Sequence, residues 1–202
     1  MKYSDIDKRK TAFIFELDNV LYPEKDYLYQ VYYLFASFLE YTELLSAGET
    51  TDLLINTYIT KGNSFVFDSL KQSLKVNEKY RDNLNELLIT AKLPLKLLLY
   101  KNMLSLLQDI IVDRKKIFLV TNGNTRQQLN KIKQTEWHGL ENYLTCYFAN
   151  ESAPKPETDT MDLIIKDHNL QRRNILLIEN SEIDTSFAEA CGIDFINVNQ
   201  FL

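Results

Sequence analysis

Four short runs of apolar, largely β-branched or aromatic residues stand out along the chain, at 12–17, 116–121, 144–148 and 174–178, with a weaker fifth at 194–198. Unbroken apolar runs suit strands buried on both faces, so these predict a parallel sheet rather than an alternating, half-exposed one. Three of the first four run straight into a polar cluster and a helical pattern, the βα rhythm of a doubly wound sheet. Almost a hundred residues separate the first two runs, far more than a βα connection needs. From residue 26 to about 91 the apolar positions recur at three and four (Tyr29, Tyr32, Tyr33, Phe35, Ala36, Leu39; then Leu53, Leu54, Thr57, Tyr58), which predicts several amphipathic helices. Pro23 and Pro94 punctuate the two ends of this insert. The expected architecture is α/β: a Rossmann-like, doubly wound parallel sheet core of residues 1–23 and 94–202, with an inserted α-helical cap of residues 24–93. Ligands of open α/β sheets bind beyond the carboxyl ends of the strands, so an insert leaving the end of the first strand is expected to stand over that site.

Composition narrows the classes. The most apolar long stretch, 93–112, is interrupted by Lys96, Lys101 and Asp109 and carries leucines at helical spacing, predicting a core helix and not a membrane span. At 202 residues and 45% hydrophobic, the chain suits one soluble domain with an inserted lobe. A formal charge of −5 and a pI near 5.2, without a long Lys/Arg run, argue against nucleic acid or an anionic membrane as partner. The first residues place four basic and two acidic side chains before a very short apolar run, so no signal peptide is expected. Cys146 and Cys191 lie in apolar surroundings without CxxC spacing, which predicts buried free thiols and a cytoplasmic protein.

The polar clusters that follow the strands carry the chemistry: ELDN at 16–19, TNGN at 121–124, APKPE at 153–157 and IENSEID at 178–184. A parallel sheet brings all four to one edge. There they would assemble carboxylates, a hydroxyl, a lysine, and backbone N–H groups at Asn122, Gly123 and Asn124 ahead of a helix, where anions bind well. Carboxylates, a lysine and an anion cradle suit magnesium-assisted phosphoryl transfer, since phosphate and Mg²⁺ each need opposite charge nearby.

The segments FELDNVLYP, FLVTNG, SAPKPE and IENSEIDTSFAEACGI resemble, in order, the four motifs of the haloacid dehalogenase (HAD) superfamily, over residues 12–198. Most members are phosphatases with a helical cap after the first strand. The resemblance implies a magnesium-dependent phosphomonoester phosphatase acting on a small phosphorylated metabolite. Glu16 would stand at the nucleophile position, Asp18 would be the general acid/base that also lends its backbone carbonyl to magnesium, and Thr121 would bind the phosphoryl group. Lys155 would pair with nucleophile and phosphate, and Asn122 and Gly123 would complete the phosphate site. Glu16, Asp18, Glu179, Asn180 and Asp184 would form the metal site. The presence of Asp18 favours phosphate esters over haloacids.

Two positions depart from the pattern. Glu16 stands where the family has an aspartate nucleophile, and Asn180 where it has a metal-binding aspartate. The extra methylene of Glu16 displaces the carboxylate by roughly one bond length, and about 1 Å of misplacement can cost on the order of a hundredfold in rate. Asn180 removes one negative charge from the metal's ligands. The alternative to an impaired phosphatase is therefore an inactive HAD-fold binding or assembly protein. The remaining polar and aromatic candidates read as structural: the tyrosines of 27–41 as cap packing, Trp137 and His138 as the end of a helical pattern, His168 as a surface residue at a helix end.

Overall fold

The computed structural model describes residues 1–202. In chain order its elements are β1 (Ala12–Phe15), α1 (Glu24–Glu43), α2 (Ala47–Lys61), α3 (Val66–Leu74), α4 (Arg81–Thr90), β2 (Leu97–Leu98), α5 (Lys101–Val112), β3 (Lys116–Thr121), α6 (Thr125–Gln134), β4 (Thr135–Glu136), β5 (Leu144–Phe148), α7 (Asp159–His168), β6 (Ile175–Glu179), α8 (Glu182–Cys191) and β7 (Asp194–Asn197). They group into two compact units, Met1–Glu24 with Leu97–Leu202, and Lys25–Lys96.

The first unit is built on one sheet of order β5-β3-β1-β6-β7, parallel at every pairing. This is the α/β architecture that the apolar runs predicted. β1 is central, with Phe15 in register with Leu119 on one side and Ile178 on the other. Every residue of β1 and β6 is buried, because helices cover both faces. On one face Ile14, Phe118 and Leu177 pack with Met161 and Ile164 of α7 and Phe187 of α8. The chain winds outward from β1 through β3 to β5, then crosses to β6 and β7. The carboxyl ends of β1, β3 and β6 therefore flank the point where strand order reverses, the usual ligand crevice of such sheets.

The second unit is all helical. α1 buries Tyr27, Leu28, Val31, Tyr32, Phe35, Ala36 and Leu39, a stripe at three- and four-residue spacing. Tyr33, expected on that stripe, is 53% exposed. Phe35 packs on Phe67 of α3, and Tyr29 and Tyr32 meet Tyr58 of α2 edge-on, so the aromatic residues act here as packing.

The structure corrects several local expectations. The helix predicted over 93–112 begins only at Lys101; Leu97 and Leu98 are extended and pair in parallel with Thr135 and Glu136. That pairing draws the chain back at Leu97, a few residues beyond Pro94. Cys191 is buried as expected, but Cys146 is half-buried on the edge strand β5; both are free thiols. The helical pattern thought to reach His138 stops at Gln134; Trp137 is buried, with its indole N–H on the Ile132 carbonyl, while His138 adopts φ +54°. His168 is no plain surface residue: its ring lies tilted against Phe118, 4.6 Å between centroids, and its Nε2 bonds the Tyr147 hydroxyl at 3.0 Å. No helix is long and apolar enough to cross a membrane.

Candidate active site

β1 ends at Phe15, so Glu16 lies just past the ladder with its side chain only 12% exposed. The long side chain folds back: Oε1 accepts the N–H of the next residue, Leu17, at 2.9 Å, and also the Thr121 hydroxyl from the end of β3. Oε2 accepts the Lys155 ammonium. Lys155 is held in place through its backbone, which the Asn122 carboxamide grips twice, Nδ2 donating to the Lys155 carbonyl at 3.0 Å and Oδ1 accepting its N–H at 2.9 Å. The 1%-exposed ammonium also donates to Val120 O at 3.0 Å and to Asp184 Oδ1 at 2.5 Å. Asp184 sits in the first turn of α8, where the Ser181 hydroxyl both caps the helix by accepting the Asp184 N–H and donates to Asp184 Oδ2.

One ammonium shared by two buried carboxylates leaves a deficit of positive charge. Burial pushes the Glu16 carboxyl above the usual carboxylate range; Lys155 pulls it down, but the nearby Asp184 adds to the rise, and the net direction is up. Burial works against the Lys155 ammonium, yet Glu16 and Asp184 outweigh it and raise its pKa. A raised carboxyl pKa in the folded protein means that Glu16 favours folding below its unfolded value, and that this contribution is lost as pH rises through the folded value. Glu16→Gln is therefore expected to raise stability at neutral pH, by about 1 kcal/mol, and to flatten stability above pH ~5. Thermal unfolding across a pH series checks this, and a variant less stable than wild type at pH 7 contradicts it.

Asp18 is fixed by residues that sequence reasoning missed. Its Oδ1 accepts the Tyr22 hydroxyl at 3.0 Å; its Oδ2 accepts the Lys131 ammonium at 2.6 Å and Gln128 Nε2 at 3.2 Å. Gln128 Nε2 reaches further to Thr121 Oγ1 at 3.0 Å and the Asn122 carbonyl at 2.8 Å, tying Asp18 into the network around Glu16. Gln128 and Lys131 are the buried residues of α6, while its Leu129 is 38% exposed. The available signal was a helix whose one inward stripe, at i and i+3, is polar.

The structure thus gathers Glu16, Asp18, Thr121, Asn122, Lys155 and Asp184 into one hydrogen-bonded network. Gly123 stands apart: its φ of +108° makes the turn into α6, but its N–H, expected to face an anion, donates to Asn150 Oδ1 at 2.7 Å. Glu179 is also outside the network, with Oε1 on Asn197 Nδ2 at 3.2 Å and a buried Oε2 that has no partner. Asn180 follows it, half-buried.

The side chains that would hold the magnesium implied by the resemblance are engaged with protein partners in this arrangement. Both side-chain oxygens of Glu16 and of Asp184 already accept from protein donors, while the part assigned to Asp18 falls to its backbone carbonyl. No three His, Cys, Asp or Glu side chains stand together as a metal-binding group. The unpartnered Glu179 Oε2 is a single oxygen, whereas magnesium demands a near-octahedral shell.

The family model described as Haloacid dehalogenase-like hydrolase matches residues 13–198. The chain belongs to this family. As a HAD protein it shares its fold with solved structures of low sequence identity. A hydrolase from Streptococcus pneumoniae superposes with a TM-score of 0.59 at 18% identity, over 93% of this chain and 92% of that one. A beta-phosphoglucomutase-like protein of Thermotoga maritima gives 0.62 at 19% identity, over 90% and 82%. A HAD-superfamily hydrolase of subfamily IA from Geobacter sulfurreducens gives 0.56 at 16%, over 94% and 87%. No curated protein matches the HAD chain significantly.

Proposed function

We propose that this HAD protein keeps a phosphate-ester pocket at the edge of β1, β3 and β6 but has strongly impaired turnover, and works by binding a small phosphorylated metabolite. The reading takes over the roles implied by the four motifs: Glu16 at the nucleophile position, Asp18 at the acid/base position, Thr121 and Asn122 toward the phosphate, Lys155 behind them. The observation that carries it is the set of bonds on the two acids of the first motif. Glu16 is folded back onto Leu17 N–H and Thr121, away from the extended posture that in-line attack needs. Asp18 would have to give and take a proton, yet both its oxygens are already engaged, Oδ1 by the Tyr22 hydroxyl and Oδ2 by the buried Lys131 ammonium and Gln128. The helical unit Lys25–Lys96, inserted between β1 and the remaining strands, would serve as the cap that selects the organic part of the ligand.

The test is a panel of phosphorylated small molecules with the purified protein, with and without magnesium, followed by both product release and calorimetry. Binding of at least one phosphate ester is expected, with turnover within about tenfold of the Glu16→Gln control. A kcat of about 1 s⁻¹ or more, the lower end of ordinary enzymes, would refute impairment.

A further inference from the structure

We propose that Lys131 is the resident counter-cation of this pocket, supplying from α6 positive charge that a divalent metal would otherwise bring, so that the pocket accepts a phosphate group without magnesium. This rests on the reading of the edge as a phosphate pocket. A lysine nine-tenths buried is costly unless a charge nearby repays its lost hydration. Lys131 is 2% exposed, and its side chain is more buried than that of its partner Asp18, 3% against 16%. The ammonium is thus buried at the strand edge rather than reaching in from solvent. The helix that carries it is turned for the purpose: Gln128 and Lys131 face inward one turn apart, and Leu129 faces out.

Charge at the strand edge follows from this. The carboxylates of Glu16, Asp18 and Asp184 are met by the two ammoniums of Lys155 and Lys131. Asn180 is neutral where the HAD pattern has an aspartate. The two features act in the same direction, one withholding a negative charge and the other offsetting one, so that these three carboxylates and two ammoniums are left with one negative charge in excess. A fixed ammonium in a site of low dielectric makes such an edge less attractive to a divalent ion and less repulsive to a phosphate dianion than it would be without the lysine. Lys131 acts here through Asp18 and through its field, which makes it a positioning residue.

Calorimetric titrations of inorganic phosphate in EDTA, of phosphate with magnesium, and of magnesium alone test this on wild type, Lys131→Gln and Lys131→Arg. Glutamine keeps an N–H donor for Asp18 while removing the charge; arginine keeps the charge. Wild type is expected to bind phosphate in EDTA with no more than a small change on adding magnesium. Lys131→Gln should lose about tenfold or more in metal-free phosphate affinity and gain about tenfold or more in magnesium affinity, with Lys131→Arg close to wild type. A purely structural role would weaken all ligands alike, which overturns the proposal, as does equal magnesium affinity in Lys131→Gln and wild type. If Lys131→Gln fails to fold, wild type decides: phosphate affinity raised about tenfold or more by magnesium refutes the resident cation and leaves the phosphate pocket standing. Absence of phosphate binding in wild type under both conditions refutes the pocket itself, and this proposal with it.

Discussion

Lys155→Met is expected to lower the stability of the protein by roughly 3–5 kcal/mol, the usual consequence of removing one partner from a buried charge group. Methionine nearly matches the volume of the lysine stem, so cavity formation contributes little. What is lost is the single ammonium that meets both Glu16 and Asp184 and also satisfies the Val120 carbonyl. Both carboxylates would then face each other in a site where Glu16 is already short of positive charge. The effect corresponds to a fall in Tm of roughly 10 °C for a chain of this size. Adding Glu16→Gln to Lys155→Met should recover part of the loss, because one of the two stranded charges is then gone; the double-mutant cycle reads the coupling directly. A loss below about 1 kcal/mol for the single variant would mean that the buried triad is not the anchor described above.

The second large effect concerns rate. Glu16→Asp combined with Asn180→Asp is expected to raise turnover of a generic phosphate ester by about a hundredfold at high magnesium. The shorter carboxylate cannot fold back onto the Leu17 N–H in the same way and regains in-line reach, while Asn180→Asp restores a charged oxygen for the metal. The two changes act on one phosphoryl group, so their joint effect should exceed the product of the single effects. Wild-type turnover that is already high and falls on Glu16→Asp would show instead a pocket adapted to glutamate.

Much of the fold was legible because a strand buried on both faces needs an unbroken apolar run, and β1, β3 and β6 each contain one, whereas β5 at the sheet edge is only half-buried. The edge carried by Glu16, Thr121, Lys155 and Asp184 was legible for a related reason: polar residues placed directly after such runs have one destination in a parallel sheet. The misses have common physical causes. Leucine spacing alone could not separate the extended Leu97 and Leu98 from α5, since helix and buried strand look alike over a few apolar residues. Gln128 and Lys131 escaped because inward-facing polar residues on a helix read as its solvent side. The Asn150 side chain that occupies the Gly123 N–H, and the Tyr147 and Phe118 partners of His168, are long-range contacts with no local signature.

The sheet order also sets a schedule for synthesis. β1 is made early, but its two neighbours in the sheet, β3 and β6, arrive only after the helical unit Lys25–Lys96 has been completed. The lysine that neutralises Glu16 follows it by 139 residues. While the chain emerges from the ribosome, the helical unit, rich in local contacts, has the means to form first. The apolar run of β1 and the acid at its end wait, unpaired, until those later strands are made. The nascent protein is thus most exposed to aggregation and to chaperone capture in the interval before β3 and Lys155 emerge.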